Sequence, residues 1–175
     1  MAKKVSPLKR KDVEVLLRKI DKELAKAITI YLIGGGSMAL KELKDSTVDL
    51  DFVVISKRNY VALKKAIEKK GYKLDETAYD PRIYKNAVIL FAKGRSKIDI
   101  FIKSIVGMLD FTKEMENRAE FLDKSFDKLR IKLASNEDIF LLKSMSGRDK
   151  DIIDCRTLLL TGCLLYTSPS PRDRS

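Results

Sequence analysis

The chain contains no histidine. That excludes imidazole general bases, histidine-based catalytic triads and the usual zinc sites, and leaves carboxylates to do any acid, base or metal-binding work. Cysteine is almost as scarce, with two residues, Cys155 and Cys163, at a spacing unlike CxxC. Neither a disulfide framework nor a zinc ribbon follows from that pattern. No apolar run approaches the ~20 residues of a membrane span, and the N-terminus lacks a signal-peptide core. The expectation is a cytoplasmic protein without a membrane partner.

Charge is abundant instead. Lysine and arginine number 36 against 25 aspartate and glutamate, a formal +11, which favours polyanionic partners such as RNA, DNA or nucleoside triphosphates. Lysine-rich and glutamate-rich compositions also arise from adaptation to heat, so basicity by itself leaves the partner open. With 175 residues and 45% hydrophobic composition the chain is not disordered and suits one folded domain. That domain is expected over residues 1–162, with a core in 1–103 and a mainly helical part, cut short, in 104–162. Residues 163–175 abandon all periodicity, and 163–173 resemble the conceptual translation of a transposase-based sequencing adapter. They are expected to be a non-native tail, whose Arg172, Asp173 and Arg174 add a net +1, leaving +10 of the +11 without them.

The organising stretch is residues 31–55, YLIGGGSMALKELKDSTVDLDFVVI, which reads as strand, glycine turn, short helix, strand. On the second strand Asp49 and Asp51 stand two positions apart, so both carboxylates point to one face. Like charge and desolvation on such a strand call for a proton or a cation between them. Oxygen-only ligands suit Mg²⁺ or Mn²⁺. Gly34, Gly35 and Gly36 permit a tight turn and close approach to a ligand, and Ser37 is expected to cap the following helix, whose amides attract anions. Each half has a plainer reading: a glycine run can be only a turn, and Asp-Leu-Asp only a solvated strand end. A further carboxylate, Asp99, lies between Ile98 and Ile100, and pairing of its strand with the Asp49 strand would bring it to the same cation.

Periodicity predicts helices over residues 7–27, 59–70, 111–122 and 139–145, the last with Ile139, Phe140, Leu142 and Met145 as core and Lys143 as the exception. Strands are expected over 28–33, 72–78, 86–92 and, at a sheet edge, 129–133. Lys41 and Lys44 follow the glycine run, where one of them could neutralise phosphate charge, and Arg82 and Tyr84 at the Asp80-Pro81 turn could contact a substrate base or phosphate; ordinary surface and loop roles are the plainer readings. A last helix opens at GRDKDIIDC, where Asp151 and Asp154 share a face at i and i+3. Taken alone, that is a charged helix start favoured by the macrodipole.

The order of these motifs resembles the signature of the DNA polymerase β-type nucleotidyltransferase superfamily: a hydrophobic strand, Gly-Gly or Gly-Ser, a short helix, then Asp-x-Asp. Gly35, Gly36 and Ser37 match the glycine motif, Asp49 and Asp51 the acidic pair, and Asp99 the third carboxylate; Thr47 also fits. The third glycine is a departure. The resemblance implies an α/β nucleotidyltransferase fold, with a mixed, mainly antiparallel sheet flanked by helices and a helical C-terminal part. It implies that Asp49, Asp51 and Asp99 hold Mg²⁺ or Mn²⁺ and carry a two-metal transfer from a nucleoside triphosphate. Lys143 followed by Arg-x-Lys-Asp-x-x-Asp is similar to the C-terminal motifs of small prokaryotic nucleotidyltransferases, including abortive-infection type IV toxins. This implies triphosphate-binding roles for Lys143 and Asp151. The acceptor stays open among RNA ends, a protein side chain and a small molecule such as an aminoglycoside, with RNA slightly favoured by charge. The rival is a non-catalytic module that binds nucleic acid or a partner protein, as half of a toxin and antitoxin pair.

Overall fold

A computed structural model of the chain describes residues 7–75, 88–93, 96–105 and 109–161. Two compact units result, Met1–Ala134 and Ser135–Ser175. The first contains β1 (Leu8–Lys9), α1 (Arg10–Glu23), β2 (Ile28–Ile33), α2 (Gly34–Leu40), β3 (Ser46–Thr47), β4 (Asp49–Val54), α3 (Lys57–Lys69) and β5 (Lys73–Leu74). It continues through β6 (Val88–Lys93), β7 (Ser96–Ile102), β8 (Ser104–Ile105), β9 (Leu109–Asp110), α4 (Lys113–Arg118), β10 (Glu120–Phe121) and β11 (Leu129–Leu133). The second unit contains α5 (Asn136–Ser144) and α6 (Asp149–Leu160).

The main sheet runs β10-β11-β2-β4-β7-β6-β5. Its β11/β2 and β4/β7 pairs are parallel and the other four antiparallel, which makes the fold α/β with a mixed, mainly antiparallel sheet. Strand periodicity divides the two faces. Ile30, Leu32, Leu50, Phe52, Ile98, Ile100 and Ile131 join Val13, Leu17 and Ile20 of α1 and Leu63 and Ile67 of α3 in one core. The alternate residues Tyr31, Asp49, Asp51, Val53, Asp99 and Lys132 therefore lie on the opposite face. There Tyr31 meets Phe111 with ring centroids 5.0 Å apart and donates its hydroxyl to Glu116 Oε2 at 3.1 Å. Burial, and then the Glu116 carboxylate, push the Tyr31 hydroxyl up to about 12.

Several predicted elements move for identifiable reasons. α1 is shorter than residues 7–27 because Leu8 and Lys9 pair with Thr47 and Ser46 instead, and Leu24 is extended. α3 starts at Lys57, where Ser56 Oγ accepts from the Asn59 amide, and the chain turns away at Gly71, whose φ of +83° suits glycine. The helix expected over 111–122 is only the six residues of α4: Thr112 caps its start, and Ala119 turns extended to send the chain into β10. β10 in turn covers β11, so β11 lies inside the sheet between β10 and β2 rather than at its edge. In α5 Ser135 caps as expected, but Met145 is 43% exposed, so the inward face of that helix is narrower than its apolar residues suggest. The Asp80-Pro81 turn with Arg82 and Tyr84, most of the strand expected over 72–78, and residues 162–175 lie outside the described residues.

One buried carboxylate ties the first helix to the start of β11. Asp21, 6% exposed, accepts the amides of Asp127 at 3.0 Å, Lys128 at 2.8 Å and Leu129 at 2.7 Å, where the chain enters β11. Lys128 Nζ reciprocates by donating to the Leu24 carbonyl at 2.8 Å, just past the end of α1. These are charge-assisted bonds in a buried setting, and their loss leaves amides unsatisfied. Asp21→Ala is therefore expected to cost about 2–3 kcal/mol in urea unfolding; a change below about 0.5 kcal/mol would mean that the backbone there finds other partners.

Candidate active site

The acidic residues owe their arrangement to strand register. In the parallel β4/β7 pair Asp51 stands directly beside Asp99, and Asp49 beside Lys97. Asp49 shares the face of Asp51 by alternation, so all three predicted carboxylates belong to one side of the sheet, and each is half-buried. β7 lies between β4 and β6, so Asp99 is on an interior strand and not at an edge. A like-charged pair directly across neighbouring strands is unfavourable unless something compensates it. Among the described residues, no group of three aspartate, glutamate or cysteine side chains is gathered closely enough to hold an ion. The register brings Asp51 and Asp99 together; Asp49 lies two residues beyond the last pair that β4 makes with β2, Asp51 with Ile33.

Gly34 and Gly36 press against the acidic strand and Gly35 against Thr47 just before it. Gly34 has φ +60°, and a Cβ there would fall 2.5 Å from Asp51 Oδ2. A Cβ on Gly35 would fall 2.6 Å from Thr47 Oγ1, and one on Gly36 2.9 Å from Leu50 Cδ2. Only glycine lets the backbone pass this close to the carboxylate strand. The third glycine, which departs from the motif, is the one against Asp51; its only signal in the sequence was its adjacency to the pair. Thr47, 7% exposed, donates to the Asp49 carbonyl at 2.9 Å, and pairing of Thr47 with Leu8 of β1 fixes the approach to β4.

Ser37 does not cap α2. The helix begins at Gly34 with Ile33 in the cap position, so Ser37 sits inside it. Its side chain is fully buried, and Oγ has no hydrogen-bond partner among the described residues. A buried hydroxyl left so is costly unless a ligand or water meets it. Lys41, which follows α2, donates to the Ala134 carbonyl at 2.7 Å and so has a structural partner. The set as a whole fits a hard divalent cation and a phosphate ligand by chemistry: oxygen-only carboxylates side by side, a close backbone approach, and a buried hydroxyl with unused capacity.

In the second unit, Lys143 is 9% exposed in its side chain and bridges Asp151 at 2.8 Å and Asp154 at 2.6 Å, both buried. Asp151 also accepts from Ser146 Oγ and Arg148 Nε. Burial pushes the Asp151 carboxyl up, but the bonds from Lys143, Ser146 and Arg148 outweigh it and bring it to about 2. Burial pulls Lys143 down, while its two carboxylate partners pull it up by more. Sequence spacing placed Asp151 and Asp154 on one face; that a single lysine eight residues before Asp151 would join them depended on how α5 and α6 meet.

With this geometry in place the family can be stated. Residues 11–164 match the family described as nucleotidyltransferase of unknown function (DUF6036), and the chain belongs to it. In fold it is similar to the crystal structure of a Thermotoga maritima protein named as a candidate nucleotidyltransferase, with TM-score 0.52, 16% identity, and 87% of this chain and 96% of that chain covered. No curated protein matches the chain in sequence. No helix among the described residues is long and apolar enough to cross a membrane.

The Lys143 cluster makes acid stability testable. Asp151 titrates at about 2 when folded against an ordinary 3.8, so its contribution is full above about pH 4 and is lost as pH falls through about 2. Asp151→Asn is expected to lower the urea midpoint at pH 7 and to shrink its further fall between pH 4 and 2; a pH profile parallel to the native one would contradict the assignment.

Proposed function

We propose that the protein transfers a nucleoside monophosphate from a nucleoside triphosphate to a hydroxyl acceptor, with release of pyrophosphate, and that RNA is the acceptor its charge favours. The observation that carries this reading is the β4/β7 register, with Asp51 beside Asp99 and Gly34 against Asp51. Its chemistry is a displacement at the α-phosphorus. The acceptor oxygen forms the new P–O bond, the bond to pyrophosphate breaks, and the acceptor's proton passes to Asp99.

Each residue has a task in that step. Asp49 and Asp51 offer carboxylate oxygens for Mg²⁺ or Mn²⁺, with Asp99 completing the set in a two-metal arrangement. Bound divalent ions would supply charge neutralisation of the triphosphate and a lowered pKa for the acceptor hydroxyl. The Gly35 and Gly36 backbone and the Ser37 hydroxyl bind phosphate oxygens, a use that the unmet Ser37 Oγ supports. Triphosphate-binding roles for Lys143 and Asp151 rest on motif resemblance; within their own unit these side chains engage each other. The alternative, a non-catalytic module that binds nucleic acid or a cognate antitoxin or other partner protein, draws on one observation: Asp49 is paired with Lys97, not with an acid.

Incubation with each α-labelled nucleoside triphosphate, Mg²⁺ and total RNA separates the two. The transferase reading expects labelled RNA, and Asp49→Asn is expected to abolish labelling with the melting temperature unchanged. Folded protein that labels no acceptor, or an unimpaired Asp49→Asn variant, would overturn it.

A further inference from the structure

Away from the acidic edge, the first unit carries a groove of about 530 Å³ between the turn after α1 and the outer side of α3. Lys26, Lys57, Arg58, Lys65 and Lys69 line it, with Glu23 as the one lining acid among the described residues. That acid is already engaged, bridging Lys70 at 2.5 Å and Lys69 at 3.9 Å, and Lys70 chiefly holds its carboxyl below the ordinary value. Among the described residues, Lys26, Lys57, Arg58 and Lys65 have no carboxylate partner. A lysine on a helix surface is ordinarily just solvated. Here cations from two separate elements face one concavity, and Lys26, half-buried, is held below its ordinary value first by desolvation and then by Arg58. Crowded like charges of this kind gain most from a ligand bearing several negative charges.

The lining also narrows how a polyanion would be held. Val61 and Ala62 lie among the cations, and among the described residues no aromatic or amide side chain lines the groove, which favours contact with phosphate over the reading of a base. The groove flanks the start of β2, whereas Gly34 follows its end, and six residues at ~3.3 Å each separate the two by about 20 Å. The groove is thus distinct from the proposed transfer site.

We propose that this groove holds the sugar-phosphate backbone of single-stranded RNA, without sequence preference. Only the choice of RNA among polyanions rests on the transferase reading. Binding is measured without triphosphate or metal, so a failure of transfer leaves this proposal standing, and a failure here leaves transfer standing.

The test is fluorescence anisotropy of the full chain with labelled ten-nucleotide RNAs of two unrelated sequences across a salt series. Both RNAs should bind alike, with log affinity falling linearly in log salt at about 0.7 per neutralised phosphate. The triple variant Lys26→Ala, Lys57→Ala, Arg58→Ala should reduce that slope by about 2 and weaken binding roughly tenfold or more near 0.1 M salt. Lys11→Ala, Lys19→Ala, Lys22→Ala, which removes equal charge from the exposed side of α1, should change neither. Arg58→Glu alone provides a second variant should the triple one fold poorly. Absence of RNA binding at low salt, equal loss in the α1 control, binding confined to one sequence, or displacement by equimolar inorganic tripolyphosphate or by phosphatidylserine vesicles would each overturn the proposal.

Discussion

The arrangement of the acidic residues depends on one register. Parallel pairing of β4 with β7 sets Asp51 beside Asp99, and a slip of one residue would turn one of the two carboxylates into the core that Leu50, Phe52, Ile98 and Ile100 fill. The apolar residues therefore enforce the acidic ones: burying the leucine and phenylalanine face against α1 and α3 leaves the aspartates no other side. The same logic explains the glycines. Once Asp51 is fixed at the end of β2, the chain leaving Ile33 must pass against its carboxylate, and a side chain at residue 34 would collide with it.

Much of this was legible in the sequence because it obeys local rules. Alternation on residues 49–54, the glycine run before a short helix and the isolated Asp99 among isoleucines carried the resemblance to nucleotidyltransferases, and the family match and sheet topology agree with it. What local rules could not supply depended on distant partners. α4 stops at Arg118 because β11 recruits Glu120 and Phe121 as an outer strand, and nothing within residues 111–122 announces that. Ser37 looked like a cap because the glycines looked like a turn; in place they form the first turn of the helix, and the serine is buried within it. Asp21, polar on an amphipathic helix, gave no sign that the amides it satisfies lie more than a hundred residues away.

The two charged clusters differ in physical character. In the second unit Lys143 and Arg148 together offset Asp151 and Asp154, and a buried group of this kind is costly to break and gives little net stability beyond its geometry. In the first unit Asp51 and Asp99 stand at adjacent positions on neighbouring strands, where two carboxylates repel unless something compensates them. The compensated charges and the adjacent carboxylates thus lie in different units, the latter beside a buried hydroxyl and a closely approaching glycine backbone, which is why the proposed function places metal binding there.

The most direct test of that claim is Mn²⁺ binding followed by electron paramagnetic resonance on the native chain and on Asp51→Asn and Asp99→Asn. Bound Mn²⁺ that is largely lost in each variant, with secondary structure intact, is the predicted result. Native-like Mn²⁺ binding after either substitution, or none in the native chain with nucleoside triphosphate present, would contradict it.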